Sequence, residues 1–478
     1  MAGAQFDCDV LIAGGGPTGV TLAILLARRG VSVIVAEKEA AIYPLPRAAH
    51  IDHEGIRILQ EAGAAEGVMK TARRASRYDF LNAKGEVLLR FDGAEQIGPG
   101  GWPAANMIHQ PSVEAELHKS LAVQPEARLH HCWELQSYTD DGSGITALIA
   151  TPEGERTIRA RYLVGADGAR SPVREAAGIA FDDLNFEEPW LVVDVLVDDY
   201  SKLPTANLQI CNPQRPTTCV MMGEGRHRWE FMIKPGETAE QVSDDAFIEG
   251  LLEPWGVQGA VRLERKAVYT FRARIAAQWR KGRILLAGDA AHQTPPFAGQ
   301  GMCSGLRDAA NLAWKLAAVT RDGADDRLLD TYQPERAPNL RAMIDMAIMM
   351  GKTVCITSPF GAWLRDMKFK LGRALGKLPD GPPAYPPISA GRIMAGSPAA
   401  GSYFPQPIAA DGTRLDQVMG LGHWLIARGD LEKLPLKPFA HALHQWLDSV
   451  AAEAVLVRPD RYVFGTGSAN DLEVAWAG

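Results

Sequence analysis

The sequence predicts an α/β protein: a domain built on a parallel β-sheet, an antiparallel sheet inserted into it as an α+β lid, and a small C-terminal domain. The chain opens with a strand, glycine turn, helix and strand, CDVLIAGGGPTGVTLAILLARRGVSVIVAEK. Two more strand–turn–helix segments follow at 162–174 and 283–316. Between them, 181–279 alternates apolar and polar residues, which is typical of half-buried strands.

The opening segment carries a dinucleotide-binding pattern. Gly14, Gly16 and Gly19 fit G-x-G-x-x-G directly after the apolar run Val10–Ala13. The first glycine makes a tight turn, the second lets backbone approach a pyrophosphate, and the third lets the helix pack on the strand. Glu37 ends the next strand, where a carboxylate can accept hydrogen bonds from a ribose. The pattern therefore predicts a Rossmann-like domain.

Two further apolar strands end near carboxylates. In YLVGADGARSPVR, Asp167 and Gly168 follow the strand, and Ser171 is placed to cap a helix. In RILLAGDAAHQTPPFAGQGMCSGL, Asp289 follows the strand, and a glycine-rich loop leads into a helix near Met302. A carboxylate beside free N–H groups and the positive end of a helix suits a ligand with a polyol chain and an electron-accepting carbonyl edge.

Composition narrows the functional class. The chain has 478 residues, so several domains are expected, and its net charge of −7 argues against nucleic acid as a partner. Its six cysteines show no C-x-x-C and no metal-ligand spacing, which fits reduced thiols in a cytoplasmic protein without a metal. No apolar run approaches the roughly 18 residues of a membrane span.

Taken together, the three segments resemble the single-component FAD-dependent aromatic hydroxylases over about residues 7–345. Shorter stretches resemble the 3-(3-hydroxyphenyl)propionate hydroxylase group: YPLPRAAHIDHEGIRILQ, NMIHQPSVEAEL, ICNPQRP, RHRWEFMIKPGET and LLDTYQPERAPNLRAMID. Near the C-terminus, RPDRYVFGTG resembles the end of the thioredoxin-like tail of phenol hydroxylases, without its C-x-x-C.

The resemblance implies an FAD-binding domain from 1–180 and 280–375, with the substrate-binding sheet at 181–279 lying over the reactive face of the flavin. A proline-rich linker is expected at 376–400 and a thioredoxin-like tail at 401–478, used for packing or for a homodimer. The implied reaction is hydroxylation of a phenol by NADH or NADPH and O₂ through a flavin C4a-hydroperoxide, in aromatic catabolism with a 3-hydroxyphenylpropionate-like substrate.

The resemblance also implies the FAD site. Asp289 would bind the ribityl chain, Glu37 the adenosine ribose and Arg47 the pyrophosphate, while the carbonyl of Pro296 would lie near the reactive locus. Backbone N–H groups at the start of the helix near Met302 would donate to the N1/C2 carbonyl edge of the flavin. The full set expected at FAD is Gly14, Gly16, Gly19, Glu37, Lys38, Arg47, Gln110, Asp167, Gly168, Gly288, Asp289, Pro296, Gly299, Gly301, Met302 and Cys303.

The substrate side rests on residue chemistry. A ring needs an apolar slot and an acidic side chain needs a cation, which Arg228 could supply together with Arg226 and His227 in the lid. Tyr269 could face the pocket and bond a phenolic oxygen, and His50 is another polar candidate. With Pro296, these residues are the predicted catalytic set.

Three alternatives share the scaffold. A hydroxylase that tailors a polycyclic phenol differs only in substrate. A flavin halogenase would need a W-x-W-x-I-P signature and an active lysine, and the sequence shows neither. A non-enzymatic prenyl-protein escort would lack functional flavin motifs, whereas this chain has all three.

Overall fold

The structure is a computed structural model that describes residues 6–378 and 385–477. Its strands are β1 Cys8–Ala13, β2 Val33–Glu37, β3 His50–Asp52, β4 Arg77–Asn82, β5 Val87–Asp92, β6 Ala105–Met107, β7 Ala127–His131, β8 Glu134–Asp140, β9 Ile145–Thr151, β10 Gly154–Gly165, β11 Phe181–Val197, β12 Asn207–Cys211, β13 Thr217–Met221, β14 Arg226–Met232, β15 Val261–Ala276, β16 Arg280–Lys281, β17 Ile284–Leu286, β18 His292–Gln293, β19 Trp424–Ala427, β20 Ala454–Val457 and β21 Val463–Gly467.

The α-helices are α1 Pro17–Ala27, α2 His53–Glu61, α3 Ala65–Thr71, α4 Gln110–Ala122, α5 Pro172–Ala176, α6 Ala239–Val242, α7 Asp245–Leu252, α8 Gly301–Arg321, α9 Tyr332–Val354, α10 Pro359–Ala374, α11 Leu415–Met419, α12 Ala440–Ser449 and α13 Ala469–Ala477. The mixed α/β class predicted from the sequence is confirmed. Within the described residues, no helix is both long and apolar enough to cross a membrane.

The first sheet has the order β16-β17-β10-β1-β2-β7, and its central strands β17, β10, β1, β2 and β7 run parallel. The antiparallel pair β8–β9 joins the amino-terminal half of β10. In the register, Ala13 lies beside Gly165, and Gly165 lies beside Leu286. The loops that follow these three strands therefore leave the sheet at the same edge, which is where parallel α/β sheets bind ligands.

Helices α1 and α8 cover this sheet. From Val20 to Ala27, α1 is buried throughout, because it lies between the sheet and its neighbouring helices. Helix α8 buries almost every residue from Cys303 to Ala317 and packs along α1. Both helices begin at the ligand-binding edge, so their N-termini point towards the same region.

The second sheet has the order β18-β15-β11-β14-β13-β12-β4-β5, and it extends beyond the inserted segment 181–279. Strands β4 and β5 come from 77–92, and β12 pairs with β4 in parallel, with Asn207 opposite Tyr78. The expectation of an antiparallel sheet confined to 181–279 is therefore corrected on both points. Alternation in the sequence marks strands, but pairing across more than a hundred residues leaves no local signal.

The C-terminal segment forms a three-stranded antiparallel sheet, β19-β20-β21, with its own apolar core. Buried ion pairs join it to the first domain: Arg458 contacts Glu335 of α9 at 2.6 Å, and Arg57 of α2 contacts Asp416 at 2.6 Å. The backbone N–H of Arg392 also donates to Glu335 at 2.7 Å. Thus the later part of the expected 376–400 linker packs on α9, whereas its residues 379–384 lie outside the described part of the chain.

Candidate functional site

A cavity of about 780 Å³ lies where the ligand-binding edge of the first sheet faces the second sheet. It runs from the N-terminus of α1, past the loop before α8, to the underside of β12, β13 and β14. Most of the residues predicted from the sequence line it: Gly14, Gly16, Glu37, Lys38, Arg47, His50, Gln110, Asp167, Gly168, Arg228, Asp289, Pro296, Gly299, Gly301 and Met302.

The glycine turn at the start of α1 brings neighbouring backbone segments close together and leaves room for a ligand. A Cβ on Gly19 would lie 2.1 Å from the carbonyl oxygen of Gly14, so this glycine packs helix against strand. A Cβ on Gly14, where φ is +105°, would lie 2.3 Å from the carbonyl oxygen of Ala166. At Gly16 a Cβ would meet nothing within 4 Å, so the backbone is open to the cavity at the helix N-terminus. This is the arrangement that a pyrophosphate requires.

Glu37 is fixed at the end of β2. Its Oε2 accepts a hydrogen bond from the N–H of Gly15 at 2.6 Å, and its Oε1 accepts one from the N–H of Glu39 at 2.8 Å. Each carboxylate oxygen retains a lone pair that a hydroxyl from the cavity can reach. The side chain is therefore oriented by backbone and presented to a ligand.

Two carboxylates face the cavity without full pairing. Asp167 accepts from the N–H of Val173 at 3.0 Å through Oδ2, while its buried Oδ1 has no partner among the described residues. Burial raises the pKa of both Asp167 and Asp289. The turn that carries Asp289 is held by Asp308, which accepts from the N–H of Gly288 at 3.1 Å. A buried acceptor without a partner, such as Asp167 Oδ1, is costly unless a ligand donates to it, and hydroxyls are suitable donors.

The N-terminus of α8 borders the same space. Gly301 and Met302 line the cavity, and the first N–H groups of a helix have no intrahelical partner. The Cys303 side chain is fully buried and does not line the cavity, and burial raises its pKa. Gly288, like Gly19, also lies behind the cavity wall, where a Cβ would meet Thr18 Oγ1 at 2.8 Å. These three residues support the cavity wall without facing the ligand space.

The loop before α8 contains a short 3₁₀ turn at Pro296–Ala298, followed by Gly299 with φ of +64°. A Cβ on Gly299 would lie 2.9 Å from Nδ1 of His50, so the close neighbour that requires glycine here is His50. His50 Nδ1 lies 3.2 Å from the carbonyl oxygen of Gly299. Burial lowers the pKa of His50, which keeps the ring neutral near pH 7.

Gln110 positions the segment that carries Arg47. Its Oε1 accepts from the N–H of Ala48 at 2.7 Å, and its Nε2 donates to Glu114 at 2.8 Å. Arg47 lines the cavity, with its guanidinium 5.3 Å from the ring of Tyr43. Gln110 therefore acts on the site through the backbone that leads to Arg47.

Arg228 lines the cavity, but its charge is already neutralised by an ion pair with Asp194. Its guanidinium donates to Asp194 at 2.6 and 3.0 Å, and to the carbonyl oxygens of Arg47 at 2.7 Å and Pro46 at 2.9 Å. The expectation that Arg228 is a cation free for a substrate carboxylate is corrected: it ties the Arg47 segment to the second sheet. Arg226 is likewise paired, with Glu264 at 2.8 Å.

Tyr269 and His227 stand outside the cavity. Tyr269 pairs with Trp190 in the sheet register, and its hydroxyl contacts the guanidinium of Arg265. His227 is fully buried, 3.1 Å from the Cys219 sulfur, and burial lowers its pKa to about 3. Neither side chain contributes to the lining, so the expected substrate contact of Tyr269 is not supported by the structure.

Polar residues that were not predicted from the sequence line the substrate half, among them Tyr78, Gln209, Thr218 and Glu230. These four lie on β4, β12, β13 and β14, next to the apolar side chains Met107, Val220 and Phe297. The sequence did offer one indication of these residues: a polar residue at a position of an apolar strand where the alternation predicts a buried side chain. Glu230 in RHRWEFM is an example. That signal does not distinguish a pocket from a structural hydrogen bond until strand pairing is known.

The chain matches the family model described as FAD binding domain over residues 7–347. A probable NADH-specific resorcinol 4-hydroxylase from Rhodococcus jostii is 36% identical, with 96% of this chain and 91% of that protein covered. A 3-(3-hydroxy-phenyl)propionate/3-hydroxycinnamic acid hydroxylase from Mycobacterium sp. (strain JLS) is 35% identical, with 96% and 89% covered.

Solved structures agree on the fold. A ternary complex of aklavinone-11 hydroxylase with FAD and aklavinone superposes with a TM-score of 0.78 at 25% identity, covering 99% of this chain and 98% of that one. The flavin-dependent monooxygenase PieE, in complex with FAD and substrate, gives a TM-score of 0.80 at 22% identity, with 99% of each chain covered. The similarity therefore extends through the C-terminal segment.

Proposed function

The chain belongs to the family defined by this FAD binding domain, and from that premise we propose that it is an FAD-dependent monooxygenase that uses NADH and O₂ to hydroxylate a phenol. One observation carries the proposal: the nucleotide-binding edge and a chamber next to the second sheet, lined by both apolar and polar side chains, form one continuous cavity of about 780 Å³. A shared cavity lets a cofactor and a small ring meet away from bulk water.

The residues present fit FAD. The open backbone at Gly16 and the N-terminus of α1 suit its pyrophosphate, and Glu37 suits its adenosine ribose. The unpaired carboxylate of Asp289 suits ribityl hydroxyls, and the N-terminus of α8 suits the electron-rich edge of the ring. When bound, FAD supplies the electron transfer and the activation of O₂.

The protein's own contribution is to hold and enclose a ring. Phe297 packs edge-on against Trp190, with ring centroids 5.6 Å apart, so the loop at the centre of the cavity has rigid aromatic support. The apolar side chains Met107 and Val220 border the chamber from other strands. A chamber enclosed in this way limits the access of water, and the polar side chains on its wall are available to orient the substrate.

The relatives favour a catabolic phenol as substrate, because the two reported above are named for resorcinol and for 3-(3-hydroxyphenyl)propionate. The name of the first relative, an NADH-specific enzyme, favours NADH as reductant. A hydroxyl on the ring is the feature that these substrates share, and it makes the ring electron-rich enough to accept an electrophilic oxygen.

The test begins with the purified protein, which should be yellow and carry about one FAD per chain. NADH oxidation should be slow alone and accelerate when a phenol is added from a panel of resorcinol, hydroxyphenylpropionates and polycyclic phenols. A protein that binds no FAD would indicate the escort alternative. A flavoprotein whose NADH oxidation responds to no phenol would contradict the hydroxylase proposal.

A further inference from the structure

We propose that Glu230 is the catalytic residue that accepts the hydrogen bond of the substrate's phenolic hydroxyl and then takes its proton. The proposal rests on the proposed function. In the step, the phenolic O–H bond breaks and an O–H bond forms on the Glu230 carboxylate. The electron pair stays on the phenolic oxygen and makes the ring more nucleophilic. After oxygen transfer the proton returns to the product oxygen, so Glu230 is regenerated.

Glu230 lies on β14, is 6% exposed and lines the cavity. Its nearest ion-pair partner is Arg228, at 3.8 Å, which is beyond hydrogen-bond distance. That guanidinium is already paired with Asp194 through two hydrogen bonds. Among the described residues the Glu230 carboxylate accepts no hydrogen bond, so a donor that enters the cavity is the partner it lacks.

The neighbouring polar groups satisfy one another. Thr218, directly opposite Glu230 in the sheet register, donates its hydroxyl hydrogen to Gln209 Oε1 at 2.8 Å. Gln209 Nε2 donates to the hydroxyl of Tyr78, which in turn donates to the carbonyl oxygen of Phe297 at 3.4 Å. The three side chains form a chain of donors and acceptors that ends at the central loop. Among these neighbouring polar side chains, Glu230 is therefore the one whose carboxylate accepts no hydrogen bond from the described residues.

The charges around Glu230 suit proton exchange. Burial raises its pKa to about 7, Arg228 on the same strand lowers it, and Asp194 on β11 raises it. Tyr78, which faces it from β4, has a pKa raised by burial, so it stays neutral near pH 7. His50, across the cavity, has a pKa lowered by burial and is neutral as well. A base with a pKa near the working pH is the most effective in proton transfer.

The experiment measures resorcinol binding to the FAD-loaded protein by isothermal titration calorimetry between pH 6 and pH 8.5. Phenolic hydroxyls of ordinary pKa, about 10 for tyrosine, remain protonated over this range. A hydrogen bond to a charged acceptor is about twice as strong as one to a neutral acceptor. Wild-type affinity should therefore rise about tenfold as Glu230 loses its proton around pH 7.

Glu230→Gln removes the titrating group and keeps the shape of the side chain. It should bind resorcinol about tenfold more weakly than wild type at pH 8 and with no pH dependence, and its turnover should lose the rise around pH 7. Glu230→Asp, which retains a carboxylate, should recover the pH dependence. The matched control is Glu264→Gln on β15, which is paired with Arg226 outside the cavity lining and should behave as wild type.

Equal FAD content and equal melting temperature in the variants separate a site effect from misfolding. If wild type binds resorcinol with no change around pH 7, or Glu230→Gln keeps the wild-type pH dependence, the assignment of Glu230 is overturned while the hydroxylase proposal stands. If wild type neither binds nor responds to any phenol of the panel, the proposed function itself fails.

Discussion

Replacing Asp289 by alanine should weaken FAD binding without weakening the apoprotein. Asp289 follows β17, lines the cavity and makes no hydrogen bond among the described residues, so its removal leaves no protein group unpaired. A lost charge-assisted hydrogen bond to a ribityl hydroxyl is worth about 1.5–3 kcal/mol. At about 1.4 kcal/mol per tenfold, the dissociation constant of FAD should rise about 10- to 100-fold.

The same residue should cost the apoprotein only a small amount of stability at neutral pH, because its side chain lies on the cavity wall and is exposed to solvent there. Burial raises the folded-state pKa of Asp289 above its ordinary value of 3.8, so the charged form is disfavoured in the folded state. The cost is therefore full above the raised pKa and disappears as the pH falls below the ordinary value. Asp289→Ala apoprotein should unfold at an equal or higher temperature than wild-type apoprotein at pH 7, and the difference should shrink towards pH 3.8.

The assay is a titration of apoprotein with FAD, followed by quenching of flavin fluorescence, together with thermal unfolding of each apoprotein. Asp182→Ala is the matched control, because Asp182 is exposed on β11 and does not line the cavity. Unchanged FAD affinity in Asp289→Ala would refute the assignment of the ribityl contact. A marked loss of apoprotein stability would show that Asp289 is a structural residue instead.

Two further changes test the loop and the C-terminal segment. Gly299→Val should leave FAD bound but lower the ratio of hydroxylated product to NADH consumed. Its Cβ would lie 2.9 Å from His50 at a φ of +64°, whereas Gly250→Val on α7, outside the cavity lining and with nothing within 4 Å of its Cβ, should keep the wild-type ratio; equal ratios in both variants would contradict this account of the loop. Arg458→Ala should lower the free energy of unfolding by about 3–5 kcal/mol, because the buried Asp460 carboxylate loses its ion-pair partner and Glu335 keeps only its pair with Lys315. Chemical denaturation measures this loss, and a change below 1 kcal/mol would show that the C-terminal segment is held by other contacts.

The nucleotide half of the site was predictable because its chemistry is local in sequence. Gly16 and Asp289 each lie in a loop directly after a strand, and strand, turn and helix are recognisable within one short segment. Parallel pairing then brings the loops together at one edge of the sheet. For this reason the sequence alone identified the glycines and the carboxylates Glu37, Asp167 and Asp289 that line this part of the cavity, but not neighbours such as Trp133, Glu134 and Leu135.

The substrate half was not predictable, because it is assembled by non-local pairing. Nothing near Tyr78 in the sequence indicates that β4 lies beside β12, which starts at Asn207. Arg228 was misread for a related reason: its partner Asp194 lies on a neighbouring strand, and only the register shows that its charge is neutralised. Glu230 lies two residues further along β14 and has no such partner. The alternation in the sequence does not distinguish Glu230 from Arg228, because both lie on the same face of the strand.

The central claim is that this chain inserts an oxygen atom from O₂ into a phenol. The direct measurement is mass spectrometry of the product formed from NADH and a phenol under ¹⁸O₂, paired with a reaction in H₂¹⁸O under ordinary O₂. The account predicts a hydroxylated product that carries one labelled atom in the first reaction and none in the second. Label arriving from water, or NADH consumed with only hydrogen peroxide formed for every phenol tested, would contradict it.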